Sequence, residues 1–133
     1  MRYLLDTCVI SDFIKNEPAT RQRLTQTLPA EIAVSAITVM ELSYGLALNP
    51  QRAQKITTII TDFLASITIL SFTSAEAQRA AEIRAYLKPK GRPIGAYDVL
   101  IAATALNHNL IMVTANQREF ERIPHLQLEN WRA

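Results

Sequence analysis

The chain has 133 residues, of which 49% are apolar and 20% are charged, with a formal net charge of +2 at pH 7. This composition is typical of one globular domain over residues 1–133, and it excludes the disordered and fibrous classes. No apolar run is long enough to span a bilayer, an acidic residue comes too early for a secretory signal, and the single cysteine cannot form an internal disulfide. We therefore expect a cytoplasmic protein with no membrane partner.

Apolar runs, helical spacing and capping residues predict alternating strands and helices in the first half of the chain. Thr7 is the predicted N-cap of the first helix, and Ser35 is the predicted N-cap of the third. The predicted elements are a strand at 2–6, helices at 7–14 and 18–28, a strand at 32–35, helices at 36–48 and 51–66, and a strand at 67–70.

The second half continues the alternation. Thr73 and Glu76 form a predicted capping box that opens a helix ending near Pro89. A loop at 90–95, a buried helix at 96–107, a strand at 110–113, a helical turn at 118–122 and a short strand at 126–128 follow. This order predicts an α/β fold with a central, mostly parallel sheet of four or five strands, whose carboxyl ends offer the ligand site.

Three carboxylates stand alone inside apolar runs, which is the most informative feature of the chain. Asp6 follows the first strand, Glu41 is the one charge between residues 36 and 48, and Asp98 is the one charge between residues 95 and 107. An unpaired carboxylate in a core segment costs several kcal/mol, so these positions together call for a common explanation. A bound divalent cation explains all of them.

Each acid alone also has a structural explanation. Asp98 would be favoured by the dipole at a helix start, Asp6 would cap a strand-to-helix turn, and Glu41 would face either solvent or a cleft. Together the acids are harder to explain, because carboxylates about 4 Å apart repel by roughly 4 kcal/mol at an effective dielectric of 20. Oxygen ligands without clustered His or Cys favour Mg²⁺ or Mn²⁺.

The other polar residues carry weaker signals. Asp12 and Glu17 are expected in solvent, and His108 on the surface. Cys8 is interpreted as a small buried side chain rather than as a nucleophile. The basic residues between positions 79 and 92 form either a solvated helix face or a rim that contacts RNA phosphates. The candidate RNA-binding residues in this run are Arg84, Lys88 and Arg92.

The ordered motifs of the chain resemble those of the PIN-domain family and, within it, of the VapC toxins. The matching stretches are LDTCVIS at 5–11, ITVMELSYG at 37–45, YDVLIA at 97–102, VTAN at 113–116 with Glu119 and Phe120, and the tail IPHLQLENW at 123–131. Each motif is short, but the set spans nearly the whole chain in the right order. The resemblance implies a three-layer α/β/α PIN domain.

The resemblance also implies a catalytic site. Asp6 and Asp98 would bind Mg²⁺, with Mn²⁺ as a possible substitute, and Glu41 would complete the site. The fourth position of the family is usually acidic but is Asn116 here, and Glu119 is the candidate to supply the missing charge.

The resemblance implies an endoribonuclease, with tRNA or a ribosomal RNA loop as its substrate. The family implies a VapB-type antitoxin as partner, and a homodimer. Two other interpretations stay open. One is a PIN-like module that binds RNA or protein without cleaving it. The other is a phosphohydrolase with Asp6 as nucleophile. Such an enzyme would require a second Asp two residues later, where this chain has Cys8.

Overall fold

Five strands form one parallel sheet in the computed structural model, which describes residues 1–132. The strands are β1 at Tyr3–Leu5, β2 at Ile32–Ser35, β3 at Thr68–Leu70, β4 at Ile111–Val113 and β5 at Leu128–Glu129. The order across the sheet is β3-β2-β1-β4-β5, and every neighbouring pair is parallel. The sheet is therefore wholly parallel, whereas the sequence predicted only a mostly parallel one.

Seven α-helices connect and cover these strands within the described residues. They are α1 at Thr7–Ile14, α2 at Pro18–Gln26, α3 at Ala36–Leu48, α4 at Pro50–Ser66, α5 at Ser74–Leu87, α6 at Ala96–Asn107 and α7 at Gln117–Phe120. Two short 3₁₀ turns lie at Pro29–Glu31 and Lys88–Lys90. No helix in residues 1–132 combines the length and the apolar character needed to cross a membrane.

Apolar side chains from the sheet enter two cores, one on each face, because successive strand residues point to opposite sides. Leu4 packs with the core formed by α5 and α6, which includes Ala80, Ile83 and Ile101. Leu5 packs with the core on the other face, which includes Ile10 from α1 and Ile60 from α4. Helices thus cover both faces, and the predicted three-layer α/β/α architecture is confirmed.

The central strand β1 lies at the point where the chain order reverses, with β2 on one side and β4 on the other. Tyr3 pairs with Ile32 of β2 and with Ile111 of β4, so the three strands end at one edge of the sheet. A crevice at the carboxyl ends of strands opens at such a reversal. Asp6 and Thr114 directly follow β1 and β4 and therefore lie in it.

Several predicted boundaries are confirmed, and others shift by a few residues. The structure has α1, β2, α3 and α6 at the predicted residues, and α2 ends at Gln26 rather than at residue 28. The last strand lies at Leu128–Glu129 rather than at 126–128, where it pairs with β4. The predicted N-cap of α1 was wrong: the Asp6 side chain, not Thr7, accepts from the backbone at the helix start.

Candidate active site

The three isolated carboxylates line one open pocket. Asp6, Glu41 and Asp98 contribute to a cavity of about 450 Å³ at the carboxyl edge of the sheet. The rest of its lining comes from Thr7, Cys8, Ala115, Asn116 and Arg132. The three carboxylates, which are up to 92 positions apart in the chain, therefore meet in space, as the sequence predicted. This cavity is called the acidic pocket below.

Asp6 is held rigidly at the base of the acidic pocket. It is only 6% exposed, and it ends β1 where the backbone turns into α1. Its Oδ1 accepts from the Thr7 backbone N–H at 2.8 Å, and its Oδ2 accepts from the Thr114 hydroxyl at 2.8 Å and from the Cys8 thiol at 3.4 Å. All of these donors are uncharged, so the hydrogen bonds orient the carboxylate without cancelling its charge.

Glu41 faces the pocket rather than bulk solvent, which settles the alternative that its spacing on α3 left open. Its side chain is half-buried, and its Oε1 accepts a hydrogen bond from the Thr7 hydroxyl at 2.7 Å. Thr7 is the first residue of α1, and the buried Thr38, one turn before Glu41, lies 3.2 Å from the same hydroxyl. Thr7 therefore fixes one oxygen of Glu41 next to Asp6.

The pKa of Asp98 is shifted by its position in the acidic pocket. Asp98 lies half-buried in the first turn of α6. Burial, together with repulsion from Asp6, Glu119 and Glu41, raises the pKa of its carboxyl from 3.8 to about 6. The charged neighbours that shift this pKa are all carboxylates. A cluster of this kind either holds protons or binds a cation.

Glu119 and Asn116 form one unit beside Asp98. The Asn116 side-chain N–H donates to Glu119 Oε2 at 2.6 Å, and the Gly95 backbone N–H donates to Glu119 Oε1 at 3.1 Å. Asn116 lines the acidic pocket, and Glu119 lies close enough to raise the pKa of Asp98. Glu119 of α7 thus places a carboxylate next to the neutral Asn116 and close to the start of α6. The catalytic roles of both residues stay predictions.

Gly95 is a site residue that sequence reasoning missed. A Cβ at this position would stand 3.0 Å from Oδ2 of Asp98. This separation is tighter than nine in ten contacts of real Cβ atoms, so a side chain here would require the Asp98 carboxylate to shift by a few tenths of an ångström. The sequence carried a signal: Gly95 immediately precedes a helix without supplying a capping side chain.

Asp12 and Arg132 correct another expectation. Asp12 was predicted to lie in solvent, but it is 6% exposed and pairs with Arg132 through both oxygens, each at 2.7 Å. Glu17, also expected in solvent, is half-buried and caps α2 by accepting from the backbone N–H of Thr20 at 2.7 Å. The pairing of Asp12 could not be predicted from neighbouring residues, because its partner lies 120 residues away.

His108 was expected on the surface, and it is only partly exposed. Its side chain is half-buried, and its Nε2 lies 3.6 Å from Oε1 of the buried Glu76, too far for a hydrogen bond. Within the described residues, this buried nitrogen has no hydrogen-bond partner. His108 directly follows α6, at the opposite end of the helix from Asp98, so His108 and Glu76 belong to the scaffold and not to the acidic pocket.

Cys8 is unsuited to act as a nucleophile. Burial, together with the charge of Asp6, raises the pKa of its thiol to about 11. The thiol is therefore protonated at neutral pH, and nucleophilic attack needs the thiolate. Cys8 instead donates to Asp6 and is half-buried in the pocket lining, whereas the sequence predicted a buried side chain.

The donor set of the acidic pocket fits Mg²⁺ or Mn²⁺. No three His, Cys, Asp or Glu side chains in residues 1–132 form a ready-made metal cage. Mg²⁺ does not need one, because it keeps several waters and is usually bound through one or two carboxylates and substrate phosphate. Asp6 Oδ1 accepts a single hydrogen bond, which leaves it a free lone pair, and Asp98 lines the same cavity.

The candidate RNA-binding residues lie outside the acidic pocket. Arg84, Lys88 and Arg92 are exposed and line a groove of about 920 Å³ between α5 and α6. The segment 92–98 joins this groove to Asp98, and Arg122 fixes it by donating to the Arg92 carbonyl oxygen. The basic groove and the acidic pocket are therefore neighbours along the chain but separate cavities.

Comparison with known proteins matches the chain over almost its full length. The model of the PIN domain family matches residues 3–126. The tRNA(fMet)-specific endonuclease VapC of Shigella flexneri is 37% identical over 131 residues, which cover 98% of each chain. The match therefore includes every carboxylate of the acidic pocket.

Solved structures agree with this similarity. VapBC2 from Rickettsia felis, crystallised with a DNA fragment from its promoter, aligns with a TM-score of 0.89 at 33% identity, over 98% of this chain and 99% of that one. DNA-bound VapBC from Salmonella typhimurium aligns with a TM-score of 0.85 at 37% identity, over 98% of both chains. Fold and sequence similarity thus point to the same group of proteins.

Proposed function

The chain belongs to the PIN-domain family and to its VapC ribonucleases, and on this premise we propose that it is a Mg²⁺-dependent endoribonuclease, the toxin of a type II toxin–antitoxin pair. The observation that carries the proposal is the convergence of Asp6, Glu41 and Asp98 on one pocket without a cation paired to any of them among residues 1–132. Repulsion between these carboxylates does not help the chain to fold, so a role in binding a cation explains why they lie together.

In the proposed site, Asp6 and Asp98 hold the metal ion, and Mn²⁺ is a possible substitute. When bound, the ion supplies a nucleophile at neutral pH and stabilises the negative charge that builds up on the phosphate. Thr114 and the Thr7 backbone N–H keep the Asp6 carboxylate in one orientation. Glu41 has Oε1 occupied by the Thr7 hydroxyl, so its Oε2 orients the attacking water and takes up its proton.

Asn116 and Glu119 support this chemistry from the other side of the pocket. Glu119 is held by Gly95 and Asn116, so its charge stays near Asp98 and adds to the pull on a cation. The exposed Arg84, Lys88 and Arg92 contact phosphates farther along the RNA, where they add affinity without reading sequence.

The natural substrate is a tRNA or a ribosomal RNA loop, whose unstacked strand can enter an open pocket. The tRNA(fMet) named for the Shigella relative is the first RNA to test. The partner is a VapB-type antitoxin, as in the VapBC complexes of the structural neighbours. An antitoxin Arg would pair well with the pocket carboxylates and block it. We propose that the toxin is a homodimer and acts in the cytoplasm.

Cleavage assays test the enzyme. Purified protein should cleave tRNA(fMet) in Mg²⁺ and lose activity in EDTA, and Asp6→Asn and Asp98→Asn should each lower the rate at least 100-fold while remaining folded, since each change removes charge but little volume. Wild-type rates in either variant would refute the assignment. Binding of RNA without cleavage in Mg²⁺ or Mn²⁺ would favour the non-cleaving module instead.

Growth measurements test the toxin role separately. Expression without the antitoxin should arrest growth, and co-expression of the antitoxin should restore it. Expression of Asp6→Asn at the same level is the control and should leave growth unchanged. Normal growth with abundant, catalytically active protein would contradict a toxin role without touching the nuclease assignment.

A further inference from the structure

Arg132 stands at the acidic pocket as the one cationic side chain in its lining, as far as residues 1–132 show. Its guanidinium is paired with Asp12, through Nε to Oδ2 and through Nη2 to Oδ1, both at 2.7 Å. This two-point geometry fixes the plane of the guanidinium as well as its position. The carboxylates of the acidic pocket take no part in the pairing.

Both oxygens of Asp12 accept from Arg132, but Arg132 keeps N–H donors that Asp12 does not use. A guanidinium has five N–H donors, and Asp12 takes two of them. Among the described residues, no second side chain accepts from the group, whose side chain remains 51% exposed. Asp12 is buried and Arg132 is exposed, so the member of the pair that lines the pocket is the guanidinium, which keeps N–H donors that Asp12 does not use.

The tail that carries Arg132 is anchored. Trp131 is 2% exposed, and its ring packs edge-on against Tyr3 with centroids 5.3 Å apart. Its indole N–H donates to Glu129 at 3.0 Å, and Glu129 belongs to β5 of the sheet. Arg132 is therefore placed by the fold and not by a loose end of the chain.

We propose that the Arg132 guanidinium, positioned by Asp12, binds a phosphate of the RNA strand at the acidic pocket. The inference rests on the proposed function, since it assumes that RNA is the ligand. An acidic pocket repels a phosphate backbone, so a fixed cation at its edge is needed where the strand enters. Arginine is the side chain that best matches phosphate through paired donors, and Asp12 has already removed the rotational freedom that binding would cost.

Binding of fluorescein-labelled tRNA(fMet), measured by anisotropy in the cleavage-deficient Asp6→Asn background, tests the contact. Arg132→Gln should raise Kd about tenfold. It should also make the slope of log Kd against log salt shallower by about 0.7–0.9, the amount that one lost phosphate contact removes. A merely structural role would leave that slope unchanged.

Arg23→Gln is the matched control. Arg23 pairs with Glu129 at 3.0 Å and lies over the Trp131 ring, so it belongs to the same tail but not to the pocket lining. Its loss removes the same charge and should change neither Kd nor the salt slope. Equal effects of the two variants would overturn the proposal, because the loss would then reflect net charge alone.

A double variant separates binding from stability. Arg132→Gln leaves the buried Asp12 unpaired, so Tm should fall; adding Asp12→Asn removes that charge and should restore Tm, while Kd stays raised. Recovery of affinity together with Tm would overturn the proposal, as would an unchanged Kd in Arg132→Gln. Failure of wild-type protein to cleave RNA refutes the nuclease assignment alone, whereas absence of RNA binding refutes both.

Discussion

The Asp6 carboxylate is held in place without being neutralised. Its donors within the described chain are a backbone N–H, a hydroxyl and a thiol, from Thr7, Thr114 and Cys8. Such bonds fix a carboxylate but leave its charge to act on neighbours. The effect is seen at Asp98, whose pKa is raised by burial and by the charge of nearby carboxylates. The carboxylates of the acidic pocket therefore repel one another until a cation binds. This repulsion lowers the stability of the fold, although the same carboxylates are needed for the proposed function.

Asp98→Asn should stabilise the protein when no divalent cation is present. The pKa of Asp98 is about 6 in the folded protein against an ordinary 3.8. The folded state therefore holds the proton more tightly, and the free energy of unfolding falls as pH rises from 3.8 to about 6. We expect Asp98→Asn to raise Tm in EDTA at pH 7.5 by about 3 °C, roughly 1 kcal/mol after solvent screening, and by less at pH 4.5.

Asp62→Asn is the control for that experiment, because Asp62 is exposed on α4. Its replacement should leave Tm unchanged at both pH values. A loss of stability in Asp98→Asn, or a gain of the same size at pH 7.5 and 4.5, would contradict the electrostatic account of the pocket.

Gly95→Ala should damage the site while sparing the fold. The new Cβ would stand 3.0 Å from Asp98 Oδ2, so the carboxylate must move by a few tenths of an ångström. We expect kcat/KM for tRNA(fMet) to fall about tenfold, because small misplacements of a catalytic group are costly. Circular dichroism and Tm should match the wild type.

Gly45→Ala on α3 provides the comparison, since a Cβ there would meet nothing within 4 Å. Alanine is the better helix former, so this variant should gain about 0.5–1 kcal/mol of stability with unchanged kcat/KM. If Gly95→Ala cleaved as fast as Gly45→Ala, the tight approach of Gly95 to Asp98 would have no functional meaning.

At the scale of elements, helix starts were predictable wherever a local side chain sets them. The Ser35 hydroxyl accepts from Ile37 N at 3.0 Å at the start of α3, and the Thr73 hydroxyl accepts from Ala75 N at 3.3 Å at the start of α5. The last strand follows no such local rule. It lies at Leu128–Glu129 because it pairs with β4, and register with a distant strand cannot be read from neighbouring residues.

The same distinction applies to the candidate site. Asp6, Glu41 and Asp98 could be predicted because each breaks an apolar run, which is visible in the sequence alone. The pairing of Asp12 with Arg132 could not, because position 12 of a short helix looks like any solvent-facing acid until the tail is seen to return over it. Sequence therefore revealed the acids of the pocket but not the cation at its edge.

Glu76 links two helices and offers a test at this scale. It is 2% exposed on α5, and its Oε2 accepts from the Thr73 hydroxyl at 2.7 Å and from the Asn107 amide, at the end of α6, at 3.2 Å. Burial alone would raise the pKa of Glu76, but hydrogen bonds from Thr73 and the backbone and the nearby His108 outweigh it and lower the pKa. A depressed pKa means that ionised Glu76 stabilises the fold.

Glu76→Gln should therefore destabilise the protein by about 1–3 kcal/mol at pH 7, as measured by urea unfolding. The wild type has the full contribution above pH 4.5 and loses it as pH falls through the lowered pKa, so the two proteins should converge in strongly acidic solution. Glu82→Gln, on the exposed face of α5, should have little effect. Equal stabilities of wild type and Glu76→Gln at pH 7 would contradict this role.

At the scale of the whole molecule, the acidic pocket exists only when the complete fold is assembled. Asp6 comes from the end of β1, Glu41 from the middle of α3 and Asp98 from the start of α6. Two apolar cores, one on each face of the sheet, hold these elements, so packing and not local sequence sets the distances between the acids. The fold class was predictable from the alternation of elements, whereas the geometry of the pocket was not.

Binding of Mn²⁺ to the purified protein, measured by electron paramagnetic resonance, tests most directly the claim that these distant carboxylates grip a divalent cation. The wild type should bind Mn²⁺ and release it to excess Mg²⁺. Asp6→Asn and Asp98→Asn should each weaken binding at least tenfold, while Asp62→Asn binds as the wild type does. Equal Mn²⁺ affinities in the wild type, Asp6→Asn and Asp98→Asn would contradict the account.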